Sequence, residues 1–130
     1  MEKKVTIVIP NYNGLNYMEE CFAALENQIC RDFQVLVVDN GSQDGSVEWL
    51  KEKQIPSIFL PENTGFTGAV NTGLKACTSP YVILLNNDTR VDKHYVEEMI
   101  RAIERSPKIF SVSCKIIQMY HPERMDDAGD

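Results

Sequence analysis

Short, uninterrupted hydrophobic runs alternate along the chain with longer segments in which apolar residues recur every three or four positions. The runs are rich in β-branched residues and end in polar or proline-containing clusters, which is typical of buried β-strands. The segments between them have the period of amphipathic helices, and the first helix is predicted over residues 15–25. Strands are predicted at 5–9, 33–38, 58–60, 81–85 and around 109–117.

This alternation predicts an α/β fold with a mostly parallel, doubly wound sheet that carries helices on both faces. The third strand is short and lies between Pro56 and Pro61, so it is expected toward an edge of the sheet. The fourth run, 81–85, is apolar throughout, and we predict that it is a buried strand.

Polar side chains that can bond free backbone amides mark the predicted helix starts. Asn16, with Glu19 three residues later, is a capping pair for the first helix. Ser42 or Asp44 is expected to cap a second, short helix, and Asp92 the helix after the fourth strand.

The length of 130 residues suits one domain, and residues 1–130 are predicted to form a single one. The net charge of −6 argues against non-specific binding to nucleic acid or anionic lipid. The four cysteines form no C-x-x-C pair and are expected to be reduced thiols of a cytoplasmic protein. Since no closing element follows the fifth strand, the chain is expected to be a fragment of a longer protein.

Three of the predicted strands end in polar clusters. In a parallel sheet the carboxyl ends of the strands lie along one edge, which is where ligands bind in open α/β sheets. We therefore expect an aromatic side chain, two separate carboxylates and several amides to converge there. The clusters are 10–13 (Pro-Asn-Tyr-Asn), 39–42 (Asp-Asn-Gly-Ser) and 86–88 (Asn-Asn-Asp).

Each of these groups could contact a nucleotide. Tyr12 could stack on a nucleobase, and Asp39 could accept a hydrogen bond from a base N–H or a ribose hydroxyl. Asp88 could bind Mg²⁺ or Mn²⁺ between two phosphates, and Asn86 offers the same ion a neutral oxygen. A magnesium site needs only one or two carboxylates when phosphate oxygens complete it.

Structural roles for the same residues stay open from the sequence alone. Tyr12 could be a packed loop aromatic, and Asp39 could end its strand in an Asx turn. Residues 86–89 could be a polar turn before the next helix. Asn63 is more readily explained as a turn residue, and Asn71 as a residue on a helix surface.

Together, four segments resemble the family 2 glycosyltransferases, which have the GT-A fold of nucleotide-diphospho-sugar transferases. Residues 5–13 are similar to the opening strand of that family and its proline-x-tyrosine-asparagine loop, and 35–44 to its second strand with the aspartate and glycine-serine signature. Residues 63–74 resemble its asparagine-glycine helix. Residues 84–89 fall where the family carries its Asp-x-Asp element, in the asparagine-x-aspartate-threonine form of a rhamnosyltransferase-like branch.

The resemblance implies an enzyme that transfers a sugar from a UDP- or dTDP-linked donor to an acceptor hydroxyl with inversion. It implies a divalent cation, Mg²⁺ or Mn²⁺, bound by Asp88 and Asn86. The donor-binding residues that it implies are Pro10, Tyr12, Asn13, Asp39, Gly41, Asn63, Asn71 and Asn87.

The resemblance also implies a setting in polysaccharide biosynthesis, with a glycan or lipid-linked acceptor. The protein would then be cytoplasmic, and the parent protein could associate with the inner face of the membrane. The catalytic residue is unknown, because the family places its general base in a segment beyond residue 130.

Two other classes of protein stay open. Asn86 replaces the first carboxylate of the common Asp-x-Asp pattern, which suits a non-catalytic GT-A-like binding or scaffold module. A sugar nucleotidyltransferase is less well supported, because the loop after the first strand has no basic residue and only one glycine, Gly14.

Overall fold

A computed structural model describes residues 3–105 and the backbone of residues 117–118. The elements run in the order β1 (Val5–Asn11), α1 (Leu15–Glu26), β2 (Phe33–Asp39), α2 (Ser46–Glu52), β3 (Ser57–Phe59), α3 (Gly65–Ala76), β4 (Tyr81–Leu84), β5 (Thr89–Arg90), α4 (Tyr95–Glu104) and β6 (Ile117–Gln118). The chain divides into two compact units: Met1–Met18 with Asp32–Asn87, and Glu19–Arg31 with Asp88–Asp130.

The first unit contains a four-stranded sheet in the order β3-β2-β1-β4. All three strand pairs are parallel, and β1 lies between β2 and β4. This arrangement confirms the predicted α/β fold and the position of the third strand at an edge. The parallel pairing also places the carboxyl ends of the strands along one edge of the sheet.

Strand β1 is buried on both faces, which explains its uninterrupted hydrophobic sequence. Ile7 and Ile9 on one face and Val8 on the other are all fully buried, since successive side chains alternate across a strand. On the second face, Val8 packs with Val38 of β2 and Ala69 of α3.

Helix α3 approaches the sheet closely at Gly73. A Cβ atom at Gly73 would lie 2.5 Å from Cγ1 of Val8 and 3.1 Å from Cγ2 of Val38. Only glycine permits this backbone approach, because any side chain there would overlap the core. The packing of α3 fixes where its N-terminus meets the loop after β2.

Strand β4 differs from the prediction of a fully buried strand. Ile83 and Leu85 are buried, but Val82 and Leu84 are 38% and 44% exposed. Within the described part of the chain, β4 pairs with β1 alone and is the last strand of its sheet. An apolar run therefore did not distinguish a strand covered on both faces from one covered on a single face.

The start of α1 depends on a residue far away in the sequence. The helix begins at Leu15, so Asn16 lies inside its first turn and the predicted capping pair of Asn16 with Glu19 is wrong. Instead, Oδ2 of Asp44 accepts a hydrogen bond from the Leu15 amide at 2.9 Å. The other carboxylate oxygen of Asp44 accepts from the amide and the hydroxyl of Ser46, the first residue of α2.

These bonds change the acidity of Asp44. Burial alone would raise the pKa of its carboxyl, but hydrogen bonds from the Ser46 hydroxyl and from the Leu15 and Ser46 amides outweigh burial and lower it. Asp44 is therefore ionised near neutral pH and can hold the starts of α1 and α2 together.

In the second unit, α4 is joined to the segment after α1 through the buried side chain of Gln28. Its Nε2 donates to the Asp92 carbonyl, and its Oε1 accepts from the Val96 amide at 2.9 Å. Helix α4 begins at Tyr95, and the Asp92 carboxylate accepts from the His94 amide before the helix. The prediction that Asp92 caps α4 is therefore wrong, because the residue at the N-cap position is His94.

The second unit also contains a two-stranded antiparallel pair, β5 with β6. No strand was predicted at β5, since two residues carry no periodic pattern. The predicted fifth strand at 109–117 lies outside the described residues except for Ile117. Within the described part of the chain, no helix combines the length and the hydropathy that crossing a bilayer requires.

Candidate functional site

One residue from each polar cluster, Asn11, Asp39 and Asn87, meets the others at the carboxyl edge of the sheet in the first unit. Asn11, the last residue of β1, is in register with Asp39, the last residue of β2. The Leu85 amide bonds to the Val8 carbonyl, so the chain after β4 continues beside β1. Asn87 then donates a hydrogen bond from its side chain to that of Asn11.

One chain of hydrogen bonds joins these three clusters. Nδ2 of Asn87 donates to Oδ1 of Asn11, and Nδ2 of Asn11 donates to Oδ1 of Asp39 at 2.9 Å. An ionised carboxylate only accepts, so Asp39 requires the NH₂ group of Asn11 to face it. The amide oxygen of Asn11 must then face Asn87, and the orientation of both amides follows from one carboxylate.

Asp39 is held on both sides and is fully buried. Its Oδ1 accepts from Asn11, and its Oδ2 accepts from the Ser42 amide at 3.0 Å. Each carboxylate oxygen has two lone pairs, so each keeps one acceptor position beyond these bonds. Asp39 thus forms the strand-ending turn expected of a structural residue, and because it is fully buried a ligand can reach its remaining acceptor positions only if the surrounding loops move.

The loop after β1 is tied to the loop after β2. The Asn13 amide donates to Oγ of Ser42, and Oδ1 of Asn13 accepts from the Gln43 amide, both at 2.8 Å. Asn13 has φ of 52°, a left-handed conformation that asparagine tolerates better than most residues. Tyr12 is 51% exposed and Pro10 is half-buried within β1. The aromatic face of Tyr12 is therefore accessible to a ligand.

Gly41 is required by backbone geometry. Its φ is 81°, and a Cβ atom would lie 2.9 Å from Cα and the carbonyl carbon of Glu62. The loop after β2 therefore lies directly against the backbone that leads into α3. As a predicted donor-binding residue, Gly41 can contribute only through its main chain.

Asn40 connects this loop to the start of α3 and was not among the predicted site residues. Its Oδ1 accepts from the amide and the hydroxyl of Thr64 at 2.8 and 3.0 Å. Its Nδ2 donates to Oδ1 of Asn63 and to the Gly65 carbonyl, both at 3.0 Å. Asn40 is only 4% exposed, and its amide supplies both the donors and the acceptor that this junction needs.

We expect Asn40→Asp to destabilise the fold by about 2–3 kcal/mol, because a buried carboxylate would then face two acceptors, the Asn63 side chain and the Gly65 carbonyl. Urea unfolding followed by circular dichroism measures the change. Asn16→Asp is the control, since it makes the same charge change at an exposed position. Equal stability of the two variants would contradict the assigned role of Asn40.

The two remaining predicted donor residues lie on or before α3. Asn63 is exposed, and its Oδ1 accepts from Asn40 and from the Gly65 amide, so it shapes the turn before the helix. Asn71 is exposed nearly two turns into α3 and belongs to neither of the networks described above. Of the predicted donor residues, Asn71 is the one that the structure does not join to the sheet edge.

The two predicted metal ligands fall on either side of the unit boundary. Asn86 is exposed in the first unit, and Asp88 is half-buried in the second. The meeting of Asp88 with Tyr12 and Asp39 at one site therefore stays a prediction. Within residues 3–105, no three histidine, cysteine or acidic side chains form a metal-binding cluster. One carboxylate and one amide oxygen fit Mg²⁺ or Mn²⁺ only where phosphate oxygens complete the coordination.

The described cysteines are free thiols, Cys21, Cys30 and Cys77. Burial, together with the nearby negative charge of Asp88, raises the pKa of the Cys21 thiol to about 12. Cys21 is therefore protonated at neutral pH and is not a nucleophile.

This chain is similar to known proteins in both sequence and fold. The sequence model for glycosyl transferase family 2 matches residues 6–125. The glycosyltransferase GlyA of Streptococcus pneumoniae is 32% identical over 107 residues, which make up 79% of this chain and 15% of GlyA. The chain thus spans a small part of that relative's length.

Two solved structures are similar in fold. S. aureus TarS 1-349 in complex with UDP matches with a TM-score of 0.71 and 23% identity, over 78% of this chain and 32% of that one. Mannosyltransferase PcManGT from Pyrobaculum calidifontis, in complex with GDP-Man and Mn²⁺, matches with a TM-score of 0.76 and 24% identity, over 88% and 36%. These likenesses confirm the predicted fold class.

The family match covers nearly the whole chain and includes the strand-end clusters that form the hydrogen-bonded edge. It does not specify the rhamnosyltransferase-like branch, which stays a prediction. The chain belongs to glycosyl transferase family 2.

Proposed function

We propose that this chain forms the nucleotide-sugar-binding part of a glycosyltransferase that transfers a sugar from a nucleoside-diphosphate donor to an acceptor hydroxyl. The observation that carries the proposal is the hydrogen-bonded edge formed by Asn11, Asp39 and Asn87 in a member of family 2. Such an edge presents polar groups where open α/β sheets bind ligands.

The nucleobase of the donor would bind next to Tyr12 and Asp39. Tyr12 offers an exposed aromatic face for stacking, and Asp39 offers free acceptor positions to a base N–H or a ribose hydroxyl. Asp39 is fully buried, so binding requires a local rearrangement of the loops around it. The hydrogen bonds that join Asn13 to Ser42 and Gln43 are exposed to solvent, so breaking them during that rearrangement costs little free energy.

The diphosphate would bind beside Asp88 and Asn86 with Mg²⁺ or Mn²⁺. A bound divalent ion would stabilise the negative charge that develops on the leaving nucleoside diphosphate. The Mn²⁺ in the mannosyltransferase complex supports a divalent cation, and the UDP in the TarS complex supports a uridine donor. Binding of a divalent ion by Asp88 and Asn86 is itself proposed.

The remaining steps are proposed from the family. The acceptor hydroxyl of a glycan or lipid-linked substrate would attack the anomeric carbon from the face opposite the leaving group, which inverts its configuration. A general base on a part of the protein beyond residue 130 would take the hydroxyl proton. The protein would act in the cytoplasm, at the inner face of the membrane where the acceptor is lipid-linked.

Isothermal titration of the protein with UDP, dTDP and ADP, each with and without Mn²⁺, tests the proposal. We expect UDP or dTDP to bind and Mn²⁺ to tighten the binding, while ADP serves as the control for base recognition. If a folded sample bound none of them under either condition, the donor-binding proposal would be refuted and the non-catalytic module would be favoured.

A further inference from the structure

We propose that Asn11 is a positioning residue that orients the Asp39 carboxylate and the loop before Asp88 at the same time. This inference rests on the proposed function, because it concerns how the donor-binding residues are presented. Asn11 itself is only 1% exposed, so it would affect donor binding through the residues that it positions and not by direct contact.

Asn11 belongs to the strand-end cluster 10–13 and is bonded to residues of the other two clusters. Its carbonyl accepts from the Asn40 amide at 2.8 Å, and its Nδ2 donates to Oδ1 of Asp39 and to Oγ of Ser42 at 2.9 and 3.3 Å. Its Oδ1 accepts from Asn87.

An amide is the group that this position requires. Asp39 and Ser42 need a donor on one side, and Asn87 needs an acceptor on the other. A carboxylate in place of the amide would keep the acceptor, lose the donor and put a second negative charge next to Asp39. An apolar side chain of similar size would remove the partner of the half-buried Asn87 side chain and one of the two partners of the buried Asp39 carboxylate.

Two consequences for donor binding follow from this geometry. The bond from Asn11 decides which oxygen lone pairs of Asp39 remain for a base or ribose. The bond to Asn87 holds the residue that precedes Asp88, so the loop that carries the proposed metal ligands is anchored to the same amide. Asn11 therefore links the base side of the proposed donor site to the chain segment on its metal side.

An exchange of side chains separates this role from simple packing. In Asn11→Asp with Asp39→Asn, the amide moves to position 39 and the carboxylate to position 11. The amide at position 39 can accept from Ser42 and donate to the carboxylate at 11, which can also accept from Asn87. The bonds from position 87 to 11 and from 11 to 39 can therefore both re-form, the second with its direction reversed, and the Ser42 hydroxyl can donate to the carboxylate at 11. The carboxylate, however, no longer occupies position 39.

The probe is UMP without divalent metal, which tests the base and ribose side alone, with urea unfolding as the second measurement. We expect each single variant to lose stability and to bind UMP about tenfold more weakly or worse. We expect the exchange variant to regain most of the stability but not the UMP affinity. Asn16→Asp, an exposed site with the same charge change as Asn11→Asp, should behave as wild type.

Two results would overturn the inference. One is Asn11→Asp with wild-type stability and UMP affinity. The other is an exchange variant that stays as unstable as the weaker single variant, or that regains UMP binding together with stability. Absence of nucleotide binding by the wild-type protein would refute the donor site itself, whereas the unfolding measurements would still decide whether Asn11 holds the three clusters together.

Discussion

Replacing Gly14 by alanine is expected to destabilise the protein by about 3 kcal/mol or more. A Cβ atom at this position would lie 2.0 Å from Nδ2 of Asn87 and 2.5 Å from Oδ1 of Asn11, so it would occupy the space of the hydrogen bond between them. The cost combines overpacking, at about 1–3 kcal/mol, with the loss of a buried hydrogen bond. Urea unfolding measures it, and a weaker metal-free UMP affinity should accompany it.

Two further variants separate the causes of this loss. Gly65 has φ of 83°, and a Cβ atom there would meet no other atom within 4 Å, so Gly65→Ala should show backbone strain alone, about 1–2 kcal/mol. Asn87→Ala removes the group that the new Cβ would strike. Gly14→Ala combined with Asn87→Ala should therefore cost less than the sum of the two, and strict additivity would contradict the steric explanation.

Asp88→Asn is expected to remove the metal-dependent part of UDP binding. Asp88 is the one carboxylate in the proposed ligand set, and an amide there would leave the ion without a charged protein ligand. The loss of Mn²⁺ affinity should exceed the about 10–100-fold that loss of an outer-sphere partner costs. Titration of UDP at a series of Mn²⁺ concentrations measures it, while the metal-free affinity for UMP should stay unchanged.

Asp92→Asn is the charge-matched control for this experiment. Asp92 is exposed in the same unit, and its carboxylate accepts a hydrogen bond from the His94 amide, which an asparagine oxygen can also accept. The control should retain the full response to Mn²⁺. A response that survived in Asp88→Asn as well would place the cation elsewhere.

Much of the fold follows from hydrophobic periodicity in the sequence. The runs that became β1 and β2 consist of β-branched and other apolar residues ending in a polar cluster, and such runs suit strands in a parallel sheet. The prolines around β3 correctly placed it at an edge. Apolar residues that recur at three- and four-residue steps from Tyr95 and Val96 indicate helix α4, and both residues are buried.

The start of α1 could not be predicted from neighbouring residues, because its partner is distant in the sequence. The Leu15 amide is bonded by Asp44, whereas the local pair of Asn16 and Glu19 does not cap the helix. A capping motif describes only bonds within one turn of helix. Bonds between residues that the fold brings together from distant parts of the sequence leave no local pattern.

The same limit applies to the candidate site. Tyr12 and Asp39 stood out by residue type, whereas Asn11 and Asn40 were expected at this edge only as members of their polar clusters and not as donor-binding residues. An asparagine at a strand end is common in turns, so its residue type alone indicates no role in binding. A signal for Asn11 was nevertheless present. If β1 and β2 are parallel neighbours that end together, Asn11 and Asp39 lie side by side, and an amide beside a carboxylate forms a hydrogen bond.

The close contact at Gly14 restricts how this sequence can vary or be redesigned. Positions 14 and 87 share one volume, so a larger residue at the first is compatible only with a smaller one at the second. Homologous proteins should therefore show correlated substitutions at these two positions. A library built to alter the proposed donor site should diversify them as a pair, because a larger residue at position 14 alone would collide with the Asn87 side chain.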